Sequence, residues 1–437
     1  MNVLLTGLKN GGQWLARYYL LILLLFAGYR ALNLGGRFHR GMIWSDAEGY
    51  YLYLRALFVH DDGFEGLDVR TTDQFFNYEG TNKRFTKYTC GVAMLEAPFF
   101  GIAHLLALAS GRKADGYSDV YLYGLQAAGI FYGFLGLWLL HLSLLRHFKP
   151  GVAMMVVTGL FLGTNLYHYV LQEPGMSHVY SFFLFALWFW LAPGFYQKPG
   201  PWRSAGMGLL LGLITLIRPT NMLVLLFLGL YDVRSWQGFV VRLQFVAREA
   251  RHLWLAPLAA ALVFLPQLAY WKYLSGDWLI YSYGEEGFNW SAPEFWKVLF
   301  DIKNGWLLFS PMMALPLLGG FLGMWRNRYN MGVIMLMWLV TYYLTASWWC
   351  WWFGGAFGHR NFVEYYVFLA VPMAWLFSNV MGSRWWLPKI FLVAVWLVLL
   401  YYGYMLAVHF RGPHYEWYMW EEVVAYMWEL RLDVRYE

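Results

Sequence analysis

Residues 119–143 read DVYLYGLQAAGIFYGFLGLWLLHLS, apolar nearly throughout, with one acid at the leading edge and no lysine or arginine. A helix crosses a bilayer with about 20 mostly apolar residues, so this stretch is long enough to span. Windows of the same kind lie near 16–35, 151–171, 177–193, 204–218, 220–231, 253–273, 306–324, 331–347, 362–380 and 389–408. The chain reads as an all-α polytopic membrane protein with about eleven transmembrane helices, in one domain over 1–437. Composition agrees. Of 437 residues, 60% are hydrophobic, 21% aromatic and 13% charged, against roughly 45–50% apolar and 25% charged in soluble domains. A soluble enzyme, a disordered protein and a coiled-coil fibre are excluded. Two cysteines exclude a disulfide scaffold or a Cys-rich zinc site.

Windows 204–218 and 220–231 meet at Arg218-Pro219-Thr220-Asn221. Proline removes a backbone donor there, so the pair is either two short helices meeting in a turn or one broken helix. The core of the first window, Tyr18 to Tyr29, follows Lys9 and Arg17, as a secretory signal does. No small-residue cleavage pattern comes after it, so it is expected to remain as an anchor.

Charge sets the expected sidedness. With the N-terminus inside and the spans alternating, the inner segments hold 14 cations, among them Arg146, Lys149, Arg242 and Arg328, and two acids, Asp232 and Glu249. The inner side is then +12 and the outer side −6, which gives the net +6 of the chain. Basic inner loops are what the positive-inside rule requires, so the charge is topology and no nucleic-acid partner is expected. Residues 232–252 read as a cytoplasmic amphipathic segment on the inner leaflet, its arginines toward membrane lipids. Three segments fall outside: 36–118, 274–305 and the tail 409–437. Two amphipathic surface helices are expected in the first of these, at Tyr50–Phe58 and Pro98–Ser110. The predicted location is the inner membrane of a bacterium, with the active site and the C-terminus on the periplasmic side.

Five outer motifs carry candidate chemistry, because charges beside membrane segments are costly. The first, Ser45-Asp46-Ala47-Glu48, holds two acids that serve either as a general base and its partner or as a helix cap. The second runs from Asn82 to Gly91 with Lys83, Arg84 and Lys87, cations that suit a phosphate or lipid headgroups. The third, Gln172-Glu173-Pro174-Gly175-Met176-Ser177-His178, offers one acid for orienting a base or binding a hydroxyl, or simply a cap. The fourth is Arg218, which binds an anion or snorkels. The fifth runs from Trp348 to Asn361. Its tryptophans (Trp348, Trp349 and Trp352 foremost), three glycines, His359 and Arg360 suit a sugar joined to a phosphate. The glycines set it apart from a plain aromatic belt. No phosphate-binding GxxxxGK[ST] loop, GxSxG elbow or HExxH is present, and no metal ligand set or cofactor is expected. ATP is absent outside the cell. A reaction there needs an activated membrane substrate, such as a polyprenyl-phosphate sugar, whose leaving group gains charge in the transition state.

These motifs, in this order, give the chain a resemblance. SDAEGYY after the first span, KYTCG before APFF, EPGMSH, LITLIRPTN, NGWLLFSPM and WWFGGAFGHRNFVE resemble the GT-C superfamily of membrane glycosyltransferases. The likeness is greatest to members near glycosyltransferase family 39, which holds protein O-mannosyltransferases and lipid A aminoarabinose transferases. It covers roughly residues 40–375. It implies the GT-C fold and roles for named residues. Asp46 would be the general base with Glu48 its neighbour, and Glu173 an active-site acid. Lys87, Arg55 and Arg360 would hold the lipid-linked phosphate. The implied reaction is an inverting transfer from a polyprenyl-phosphate sugar donor to an acceptor hydroxyl. The sequence leaves the acceptor open among lipid, glycan and protein. This chain departs from relatives in Thr89, where proline is common after the lysine element, and in an Asp-x-Glu in place of adjacent acids. A divalent metal through Asp46 and Glu48, as some relatives use, is not predicted. The competing readings are a lipid-linked glycan flippase, a polysaccharide polymerase or ligase, and a non-catalytic scaffold. A flippase wants charges along a path through the bundle, whereas these gather at one face.

Overall fold

The computed structural model describes residues 2–33, 42–72, 74–326 and 328–409. The expected tail beyond His409 and the start of the first outer loop, 34–41, lie outside the described residues. Among those described there are seventeen α-helices, and β structure is limited to isolated bridges. In chain order they are α1 (Asn2–Leu32), α2 (Asp46–Phe58), α3 (Gly91–Ala109), α4 (Asp119–Leu145), α5 (Pro150–Leu162) and α6 (Leu166–Leu171). Then come α7 (Ser177–Gln197), α8 (Pro201–Ile217), α9 (Val224–Gly229), α10 (Trp236–Leu253), α11 (Leu255–Ser275) and α12 (Phe295–Phe300). The last are α13 (Trp306–Phe309), α14 (Ala314–Gly323), α15 (Met331–Ser347), α16 (Tyr366–Gly382) and α17 (Trp386–His409).

Among the described residues six helices are long and apolar enough to cross a membrane: α1 from Leu15, α3, α4, α7, α11 and α17 to Val408. Five shorter apolar segments join them, at α5, α8, Pro219–Gly229, α15 and α16. The short ones come from broken windows. The 151–171 window splits at Gly163-Thr164-Asn165 into α5 and α6. The 306–324 window splits at Ser310-Pro311 into α13, a 3₁₀ turn and α14. Arg218-Pro219 makes the expected turn between α8 and the segment that ends in α9. Backbone freed at such breaks must be satisfied by neighbours. Ser310 Oγ accepts from the Asn165 amide at 3.0 Å, and Asn165 Nδ2 donates to the Phe357 carbonyl at 3.2 Å.

Small residues let helices approach. On α8, Gly208 and Gly212 face Ala256 and Ala260 of α11, and a Cβ on Gly212 would lie 2.7 Å from the Ala260 carbonyl oxygen. Close backbone approach at small residues is the usual means of helix association in lipid. The α4, α7 and α16 helices form the buried centre, while α11 and α17 leave most of their apolar surface uncovered, as suits helices that face lipid.

The first-loop helices differ from their expected form. Expected at 50–58 on the surface, α2 begins at Asp46 and is buried continuously from Ala47 to Ala56. The rest of the loop covers it, with Phe64, Phe75, Tyr88 and Tyr117 among its neighbours. Expected from Pro98, α3 starts at Gly91 and keeps Pro98 inside it. It runs antiparallel to the first half of α4: Leu95 O meets Tyr132 OH, Phe99 meets Phe131, and Ala103 meets Gly124. The expected amphipathic segment is α10, which carries no buried residue; its Arg242 lies 3.6 Å over the Tyr196 ring.

Candidate active site

Four connections meet at one end of the bundle: the start of α2, the turn before α7, the turn after α8, and the loop between α15 and α16. The meeting begins at Ser45. Its φ is 52°, in the left-handed region that L residues rarely adopt. Its amide donates to Thr71 Oγ1 at 3.0 Å and its hydroxyl to Gln74 Oε1 at 2.9 Å. This held, strained turn starts α2 so that Asp46 occupies the first position of the helix.

Asp46 is 20% exposed, and both its carboxylate oxygens are engaged. Arg360 Nη2 lies 2.8 Å from Oδ2, and the Tyr88 hydroxyl donates to Oδ1 at 2.5 Å. Burial pushes the Asp46 carboxyl up, but Arg360, Tyr88 and Lys87 outweigh it, so the group stays below its ordinary range. Burial likewise works against the Arg360 charge, and Asp46 together with Tyr169, Tyr88 and Tyr50 more than offsets it. Burial and Asp46 together keep the Tyr88 hydroxyl protonated as a donor. Gly49 makes room for the Tyr88 ring: a Cβ there would come within 2.8 Å of Cε2. Gly49→Ala is expected to push that ring off Asp46 and cost about 1–3 kcal/mol through overpacking, seen as a lower Tm in detergent.

Arg218 extends the cluster. Its Nη2 donates to Asn361 Oδ1 at 2.5 Å, and its Nη1 lies 3.2 Å from Glu364 Oε1. Glu364 is 1% exposed and also takes His178 Nδ1, 3.2 Å from Oε2. Glu173 sits in the adjoining turn. Its Oε1 is 3.4 Å from His168 Nε2, and Tyr169 is within electrostatic reach of both Glu173 and Arg360. That turn abuts the start of α2, since a Cβ on Gly175 would lie 2.8 Å from Met42 O. Lys87 is close enough to Asp46 to lower its proton affinity, and its Nζ pairs with Glu286 Oε1 at 2.5 Å. Asp46, Lys87, Arg218, Arg360 and Glu173 are therefore gathered together.

Glu48 and Arg55 do not join them. Residues two apart on a helix do not share a face, and nine steps from Asp46 to Arg55 also end on the opposite side. Glu48 is fully buried and accepts from the Arg70 amide at 2.6 Å, the Thr71 amide at 2.8 Å and the Tyr117 hydroxyl at 2.5 Å. Arg55 donates to Asp68 Oδ1 and Asp68 O, each at 2.6 Å, to Asp115 O and to Tyr117 OH. Both side chains fasten the first loop to α2, apart from the Asp46 cluster. Glu48→Ala would strand three donors and is expected to cost about 3 kcal/mol. A thermal melt checks this, and Glu48→Gln is expected to recover part of the loss. The same geometry tests a metal: the oxygens of Asp46 and Glu48 point apart and are taken by donors, so they do not fit a shared cation. Among the described residues no group of three His, Cys, Asp or Glu is placed to hold one.

The aromatic loop packs mainly on its neighbours. Trp348 meets Phe288 at 4.8 Å and the Tyr283 ring edge-on at 6.1 Å, and Tyr283 lies 5.5 Å from Lys87 Nζ. Trp349 is 48% exposed. Trp352 gives its carbonyl to Asn304 Nδ2 and its ring to Lys303. His359 is buried and neutral, burial holding it down at about 3, with Nε2 donating to the Trp351 carbonyl at 2.8 Å. It shapes the loop through that bond. Sequence reasoning gave no role to Tyr88, Asn361, Glu364 or Glu286. Tyr88 and Glu364 lie inside quoted motifs, and an acid next to a span start was the available signal for Glu364.

A scan against family models finds no match, and neither does a search of curated proteins. Among solved structures, the chain is similar to the apo crystal structure of the Archaeoglobus fulgidus oligosaccharyltransferase. The TM-score is 0.50 and the identity 13%, over 90% of this chain and 56% of that one. The fold is GT-C. A second structure, the oligosaccharyltransferase AglB from Archaeoglobus fulgidus with an inhibitory peptide and a dolichol-phosphate, matches with a TM-score of 0.49 and 14% identity, over 96% of this chain and 59% of that one. The chain thus spans a little over half the length of these proteins. In this chain the cluster is built from the first loop and the ends of α7, α8 and α16.

Proposed function

We propose that this protein is a membrane glycosyltransferase that moves a sugar from a polyprenyl-phosphate donor to an acceptor hydroxyl by an inverting single displacement. The observation that carries this reading is the Asp46–Arg360 pair: an ionised carboxylate in contact with a guanidinium, beside Lys87 and Arg218, in a GT-C fold. The acceptor oxygen attacks the anomeric carbon and its proton passes to Asp46. The bond from the anomeric carbon to the phosphate oxygen breaks, and its electron pair leaves on the polyprenyl phosphate. Arg360, Lys87 and Arg218 hold the charge that develops there. One guanidinium can touch a carboxylate through one nitrogen and an anion about 7 Å away through another. An in-line displacement sets a base and a leaving oxygen at about that spacing.

Glu173 lines the acceptor side in this proposal, and Trp348 and Trp349 border the sugar through the loop that carries Tyr283. The motif resemblance to family 39 narrows the donor to a single lipid-phosphate sugar. The clustering of basic residues in the expected inner loops supports a reaction on the outer face of a bacterial inner membrane. Transfer by the purified protein in lipid tests the reading, with radiolabelled polyprenyl-phosphate sugars and a membrane extract of acceptors. Label moving to an acceptor is expected. No transfer from any donor of the panel, alongside measurable movement of a lipid-linked glycan across the bilayer, would replace it with the flippase reading.

A further inference from the structure

Lys87, offered above as a phosphate contact, is already in contact with an anion. Its Nζ is 2.5 Å from Glu286 Oε1, with the two side chains 33% and 24% exposed. Glu286 stands in a short loop built around this lysine. Ser282 Oγ donates to the Lys87 carbonyl at 2.8 Å, the Tyr281 hydroxyl donates to the Glu286 carbonyl at 2.8 Å, and the Tyr283 ring lies 5.5 Å from Nζ. The far edge of the loop is anchored elsewhere. The Asn289 amide donates to Ser347 O at 2.5 Å and the Trp349 amide to Gly287 O at 3.0 Å. The Glu286 carboxylate can therefore leave Lys87 without releasing the loop.

We propose that Glu286 is a specificity-determining residue: its carboxylate occupies the anion subsite of Lys87 and must be displaced by an incoming lipid phosphate. This rests on the reading of Lys87 as a phosphate contact. A membrane presents phosphodiester headgroups in vast excess over any polyprenyl donor. A bare lysine at the membrane boundary attracts them all. An internal carboxylate weakens every anionic headgroup by a common factor. Only a lipid that also gains Arg360 and Arg218 then displaces it at its own low concentration. Specificity arises here from an added opposing interaction as well as from a favourable one.

The probe is undecaprenyl phosphate, bound to the purified full-length protein in detergent with and without phosphatidylglycerol. Glu286→Gln keeps the shape and removes the charge. It is expected to tighten undecaprenyl phosphate about two- to fivefold, as loss of a partly exposed ion pair allows, and to make that binding sensitive to phosphatidylglycerol. Glu286→Asp, which keeps the charge, is expected to stay near wild type. Lys87→Ala is expected to weaken binding in both backgrounds and to remove the gain. Unchanged or weaker binding by Glu286→Gln, with Lys87→Ala still weakening it, overturns this inference and leaves the proposed function standing. No effect of Lys87→Ala in either background removes Lys87 from the phosphate site, and this inference falls with that assignment while the transfer assay still decides the proposed function.

Discussion

Asp46→Asn is expected to lower sugar transfer by about 10²–10⁴-fold, the usual worth of a general base, while polyprenyl phosphate still binds. The substitution is isosteric, and asparagine can still accept from the Tyr88 hydroxyl. What it loses is the ability to take a proton and the charge opposite Arg360. Freed from its partner, Arg360 has a full fork for phosphate, so donor binding is expected to hold or to tighten. A fall in kcat with an unchanged or lower KM for the donor separates loss of the base from loss of the site. Transfer within tenfold of wild type would remove Asp46 from the mechanism.

The parts of the fold that were legible in the sequence are those that depend on length and composition. Stretches such as 119–143 have one physical solution in lipid, a helix, and the Arg218-Pro219 break announces itself by the missing donor. Burial in the first loop was not legible. The segment around Tyr50-Tyr51-Leu52-Tyr53 has the aromatic content of an interfacial helix. What buries it is tertiary: Tyr53 OH donates to Tyr88 O, and Tyr51 OH to Gly116 O. The candidate site shows the same division. Motif order pointed to Asp46, Lys87 and Arg360, which the structure gathers. Glu48 and Arg55 looked equally functional as residue types. Only the helical phase separates them, since it turns both to the Tyr117 side of α2 while Asp46 faces Arg360. The Glu364 carboxylate, buried between Arg218 and His178, was hidden for a related reason. Its two partners come from two distant segments, and no local spacing could reveal them.

Arg360→Gln is expected to do two separable things. It removes a charge-assisted contact to the leaving phosphate, so transfer falls by about 10²-fold or more, the scale seen when one oxyanion donor is lost. It also changes the pH profile. In the wild type, burial raises the Asp46 carboxyl and Arg360, Tyr88 and Lys87 together bring it below its ordinary value. A base with a depressed value is ionised at all higher pH and is lost only as pH falls through that value. The acid limb of kcat/KM is therefore expected to lie below the usual carboxylate range in the wild type. With Arg360 gone, the largest opposing influence on burial is gone too, and the limb is expected to move upward. Arg360→Lys keeps a positive charge without the planar fork. It is expected to hold the limb near its wild-type place while recovering only part of the rate. The profile distinguishes the roles: a guanidinium that acted only on phosphate would lower the rate at every pH and leave the limb where it was.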